Sequence, residues 1–183
     1  MFSGKQWLAP ISLWAVLCAS AGAQAQALVV SAEAKRLAQA MQLRESTRLG
    51  AELSLQKALE QGRISQQELD CTKASSLDFA VDAYSTAIAT ALSADEIKRA
   101  NAFFTSPAGR AYLRYSRSIE LKQRNIPDPD PKPELDAKET AAATKFLETS
   151  AGKKLIEQRV FETSALKSSL AQGFLAIKTQ CAG

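Results

Sequence analysis

The sequence predicts an all-α protein: a compact helical bundle in which one helical-hairpin unit occurs twice, at about residues 92–124 and 135–179. Three observations carry this. Apolar residues recur at spacings of three and four, as in Leu77, Ala80, Val81, Tyr84, Ile88 and Ala91, or Leu166, Leu170, Phe174 and Ile177, and no stretch alternates cleanly with period two. Helix starts are marked by Ser65-Gln66-Gln67-Glu68, Ser93-Ala94-Asp95-Glu96 and Asp136-Ala137-Lys138-Glu139. In each, a small polar side chain can accept from the third helical amide while the glutamate reaches back to the cap amide. Finally, a block of caps, aromatics and glycine returns at constant offset.

The first residues read as an export signal. Lys5 gives a positive start, an apolar stretch runs from Trp7 to Ala19, and Ala21-Gly22-Ala23, Ala23-Gln24-Ala25 and Ala25-Gln26-Ala27 offer small-residue cleavage sites. The expectation is a signal peptide over residues 1–25, cleaved after Ala23, Ala25 or Ala27, and one helical domain over 28–183 in the periplasm, with secretion as the alternative. The apolar core is shorter than the roughly 20 residues that span a bilayer, so no transmembrane segment is expected in the mature form. A retained anchor is the competing reading. Lipidation at Cys18 is another, although the bulky Leu17 before it fits poorly. Cleavage would remove both tryptophans, Trp7 and Trp14, and take the formal charge from +4 to +3.

Periodicity and caps place helices at about 31–43, 45–61, 66–74, 76–92, 94–104, 107–124, 137–148 and 150–179. Gly62 follows the second as a left-handed C-terminal residue. The segment Ile126-Pro127-Asp128-Pro129-Asp130-Pro131-Lys132-Pro133 cannot be helical, because each proline lacks an amide hydrogen and biases its predecessor away from the α region. A Pro-rich connector over 125–134 is expected, extended and semi-rigid, acting as a spacer.

The connector separates the two copies. Leu92 and Leu135, Glu96 and Glu139, Phe103 and Phe146, and Gly109 and Gly152 are each 43 residues apart. In the first copy a capped helix ends in Phe103-Phe104, Ser106 caps the next helix, and Pro107 takes its first position, where an amide hydrogen is dispensable. Gly109 falls in the first turn, where glycine is unfavourable by about 1 kcal/mol. The expected reason is close approach of another backbone, that of the preceding helix, and Gly152 repeats the choice.

The run Glu96-Ile97, Phe103-Phe104, Ser106-Pro107 and Gly109 resembles the signature of domain-of-unknown-function family 2059, small, largely helical exported proteins of Gram-negative bacteria. The likeness covers about Ala74 to Leu121 and, more loosely, the second copy. Departures are Phe104, where tyrosine is common, and Ser150 in place of the proline. The resemblance implies an exported helical fold and no reaction.

Composition narrows the chemistry. The chain has no histidine, so the commonest general base and metal ligand are missing. Cleavage would leave Cys71 and Cys181, too few for a closed zinc site and a reasonable disulfide pair in an oxidising compartment. A bridge would close a loop of just over a hundred residues, for which the chain-entropy account gives about 4.7 kcal/mol. The turn Thr105 to Arg110 could hold an anion on free helix amides, yet Pro107 removes one of them, which favours a tight corner. Ser106 has no base to activate it. Glu96 and Glu139 each close a capping box, which explains them without catalysis. Arg110, Arg114, Arg117 and Arg124 share one helix face, opposite Tyr112, Tyr115 and Ile119, and give either a solvated basic face or a contact for an anionic partner. The mild net charge does not point to nucleic acid. The expectation is therefore a non-catalytic interaction or structural module with no cofactor or metal. Its partner would be an unknown protein, or an anionic or amphipathic ligand at Arg110, Arg114 and Arg117 or between the repeats.

Overall fold

The computed structural model describes residues 31–182; the expected signal peptide and its cleavage sites lie outside them. The described residues are mostly helical, with no strand among them. The elements are α1 (31–40), α2 (Leu43–Glu60), α3 (Gln66–Ala74), α4 (Asp78–Ala91), α5 (Ala94–Phe104), α6 (Pro107–Gln123), α7 (Ala137–Leu147), α8 (Ser150–Gly152) and α9 (Ser164–Cys181). No helix among the described residues is long and apolar enough to cross a membrane.

The local signals act as read. Ser65, Ser93 and Asp136 each accept from the third helical amide, and Glu68, Glu96 and Glu139 each return a bond to the cap amide. Gly62 is left-handed at φ 65°, with its N–H on Leu59 O and the Arg63 N–H on Ala58 O, the two bonds of a Schellman ending.

The expected continuous helix over 150–179 is broken, and this corrects the sequence reading. After α8 the chain widens into a π turn, Lys153–Glu157, passes through Arg159 in the left-handed region at φ 53°, and makes a 3-10 turn, Val160–Glu162. Thr163 then caps α9 by accepting from the Leu166 amide at 3.3 Å. The reason is packing. The detour buries Val160 in the main core and sets Phe161 edge-on to Tyr84, ring centroids 5.5 Å apart. A straight helix could not deliver both side chains to that side.

The core has two parts. The main one joins Leu37 and Met41 of the first segment to Val81, Ile88, Ile97 and Phe104, and then to Phe146, Ala151 and Leu155 of the second copy. The smaller one joins Leu77 and Ala80 of α4 to Ile177 and Cys181 of α9. Beside it the Phe79 ring lies on Gly173, which any Cβ would obstruct. Cys71 and Cys181 form a disulfide, Cα atoms 5.7 Å apart, tying α9 to α3.

Candidate functional site: the repeated corner and the α2–α3–α9 groove

The two corners match bond for bond. Ser106 N–H donates to Phe103 O at 2.9 Å, and Thr149 N–H to Phe146 O at 3.0 Å. Gly109 N–H donates to Ser106 Oγ at 3.0 Å, and Gly152 N–H to Thr149 Oγ1 at 3.1 Å. A Cβ on Gly109 would lie 2.0 Å from Phe103 O, and one on Gly152 would lie 2.2 Å from Phe146 O. Both glycines therefore exist so that the preceding helix backbone can touch, and Ser150 in place of proline leaves the corner intact.

The copies also pack reciprocally. α5 lies against α8 and α6 against α7, so each copy offers its first helix to the second helix of the other. The equivalent residues Phe103 and Phe146 stack nearly parallel, centroids 4.2 Å apart, so equivalent positions of the two copies touch each other as they do across a local two-fold. Charge breaks that symmetry. Glu96, 5% exposed, accepts from Ser93 N at 2.7 Å, Ser150 Oγ at 2.6 Å and Lys154 Nζ at 2.8 Å. The lysine, then the serine, then the cap amide hold its carboxyl down to about 2. The counterparts of Ser150 and Lys154 in the first copy are Pro107 and Ala111, which offer nothing to Glu139. Glu139 pairs instead with Lys132 of the connector at 2.8 Å, which lowers its pKa. The two glutamates thus form separate clasps.

The connector is more than the spacer expected of it. Ser118 Oγ donates to Asp128 Oδ2 at 2.6 Å and accepts from Lys132 N at 2.8 Å, fastening the proline segment to α6. Arg114 pairs with Asp130 at 3.3 Å, and Arg110 donates back to Thr105 O. Two of the three arginines singled out as an anion-binding face thus have partners in this chain. Arg117 stays exposed, its charge helping to lower the Asp128 pKa after the Ser118 and Asp130 hydrogen bonds. Ile119, on the face opposite the arginines, is 39% exposed, and the buried residues of α6 are Gly109, Ala111 and Leu121. Ser106 Oγ accepts the Gly109 amide as a helix cap. Among the described residues no three His, Cys, Asp or Glu side chains converge as a metal site.

The feature that sequence reasoning missed is a groove between α2, α3 and α9, about 520 Å³ in volume and walled mainly by carbon. Thr47, Gly50, Ala51, Ser54 and Leu55 line it from one face of α2, with Phe174, Lys178 and Cys181 on α9 opposite. The volume falls in the ligand-pocket range of about 300–1,000 Å³. No residue of the 18-residue α2 is fully buried, so the groove replaces the packing such a helix ordinarily has.

Gly50 sets this groove apart. A mid-helix glycine is unfavourable by about 1 kcal/mol relative to alanine. At Gly109, Gly152 and Gly173 a Cβ would strike a neighbour at 2.0–2.2 Å, which explains each of them. At Gly50 a Cβ would meet nothing within 4 Å, and its φ is not positive. Neither packing nor backbone conformation requires this glycine, and it lines the groove. Its presence inside an otherwise good helix was the one local trace of the groove in the sequence.

The hydroxyls along the groove are already engaged: Thr47, Ser54 and Thr72 each donate to the carbonyl four residues earlier. Glu68 is held by its own cap, which lowers its pKa. Lys178 is in no ion pair within 4 Å among the described residues. No family model matches this chain, nor does any curated protein or solved structure.

Proposed function

We propose that this protein is an exported, non-catalytic binding module of the periplasm, and that it takes its ligand in the groove between α2, α3 and α9. The observation that carries the reading is Gly50, a helix glycine whose absent side chain leaves open space and relieves no clash. The Cys71–Cys181 bridge ties together two of its three walls, α3 and α9. The N-terminal charge, apolar stretch and small-residue sites support export. The side chains most open to a catalytic reading, Ser106, Glu96 and Glu139, have cap and clasp roles that account for them.

A neutral, environment-sensitive apolar dye, N-phenylnaphthylamine, tests the groove. Saturable emission enhancement is expected with the oxidised protein. Gly50→Leu should abolish it while far-UV circular dichroism and melting temperature are retained, because the leucine enters open space. Equal dye uptake by Gly50→Leu would refute the assignment. Export is tested by the intact mass of the periplasmic form. A chain cleaved after Ala23, Ala25 or Ala27 is expected, and a chain still carrying Met1 in the cytoplasm would contradict it.

A further inference from the structure

Resting on the reading of the groove as a ligand site, we infer that its ligand is an amphipathic anion: a single hydrocarbon chain lying along Gly50 and Phe174 with a carboxylate-type head at Lys178. The groove is asymmetric in chemistry. Over most of its length it offers carbon, with Ala51, Leu55, Ile64 and the Phe174 ring as walls. Such a surface takes an apolar body and gives a polar one nothing to bond to. The hydroxyls beside it do not change this, since each already donates to a helix carbonyl.

Charge is confined to Glu68 and Lys178. They are not equivalent. Glu68 accepts through one carboxylate oxygen from Ser65 N at 2.7 Å and Ser65 Oγ at 2.9 Å, which anchors it to the start of α3, and the Lys178 charge acts on it only as the weakest of the influences that lower its pKa. Lys178 lies in the last turn of α9 with no ion pair within 4 Å among the described residues. An ammonium has three donors and no acceptor, so the group that completes it is an anionic oxygen. A cationic or neutral head would leave those donors to water. Gly50 completes the argument from the apolar side. It occupies the α2 face three residues after Thr47 and one before Ala51, where any side chain would project into the path of the tail.

Decanoate and decanol, of equal chain length, test the head. They are titrated by calorimetry into the oxidised protein at low and high salt. Decanoate is expected to bind about tenfold tighter than decanol, the difference corresponding to one hydrogen bond to a charged group. That preference should shrink at high salt. Lys178→Gln should erase the preference and leave decanol affinity unchanged, whereas Lys178→Arg should keep it. Gly50→Leu should lose both ligands without a lower melting temperature. Equal affinities for the two ligands, or a preference that survives Lys178→Gln, would overturn the anionic-head inference while the groove remained an apolar site. Failure of decanol and N-phenylnaphthylamine to bind as well would overturn both it and the reading beneath it.

Discussion

Substituting alanine at Gly109 tests the repeated corner with the smallest perturbation available. The new Cβ would lie 2.0 Å from Phe103 O, 2.7 Å from Phe103 C and 2.8 Å from Phe104 Cα. Ordinary C···O approach is about 3.3–3.6 Å, so α5 and α6 must part by more than 1 Å at this point. Every neighbour is backbone, so no side-chain rotation relieves the clash. Overpacking of this kind destabilises by about 1–3 kcal/mol, against a helix-propensity gain of about 1 kcal/mol for replacing glycine. The net expectation is a loss of up to about 2 kcal/mol, which in a chain of this size lowers the melting temperature by up to about 8 °C. Gly152→Ala should act in the same direction, since its Cβ would lie 2.2 Å from Phe146 O. Gly50→Ala supplies the control. It makes the same chemical change in a helix with nothing within 4 Å, and should raise the melting temperature by about 2–4 °C. Thermal melts followed by circular dichroism read all three. A Gly109→Ala protein at least as stable as wild type would refute the close-approach reasoning.

Reducing the Cys71–Cys181 bridge, which spans a sequence separation of 110, should destabilise by roughly 2–5 kcal/mol, measured as a shift in urea midpoint with and without reductant. Glu96→Gln should destabilise by about 3 kcal/mol or less, because Lys154 and Ser150 lose a carboxylate held down to about 2. The pH dependence has a fixed sign. A folded pKa below the ordinary 4.5 contributes stability that is fully present above 4.5 and is lost as the pH falls towards 2, so the wild type but not Glu96→Gln should lose that increment across this window. Ser118→Ala should speed amide hydrogen exchange at Asp130 and Lys132, since Ser118 holds both Asp128 and the Lys132 amide; unchanged exchange would count against the connector being fastened.

What was legible in the sequence was local. A capping box is complete within four residues, so Ser65, Ser93 and Asp136 fixed three helix starts whatever packed around them. The corner was legible because its constraint, a helix backbone against a glycine six residues later, acts at short range and was written twice. The break after Glu157 was not legible. It has no glycine or proline to mark it, and it exists because Val160 and Phe161 find Ala151, Leu155 and Tyr84 in three dimensions. The connector's prolines gave its extended backbone but not its attachment, which depends on one serine hydroxyl in the middle of α6. The arginine face was correctly placed on one side of a helix, yet helix periodicity says nothing of Asp130 waiting across the loop. The groove was least visible, because Phe174 of α9 is far in sequence from Gly50 and Glu68 of α2 and α3.

A two-dimensional amide NMR titration of the oxidised protein with decanoate tests the central claim most directly. The account predicts saturable shifts concentrated at Gly50, Ala51, Phe174 and Lys178, with Arg114 and Arg117 unmoved. Shifts concentrated on the arginine face of α6, or no saturable shifts at all, would contradict it.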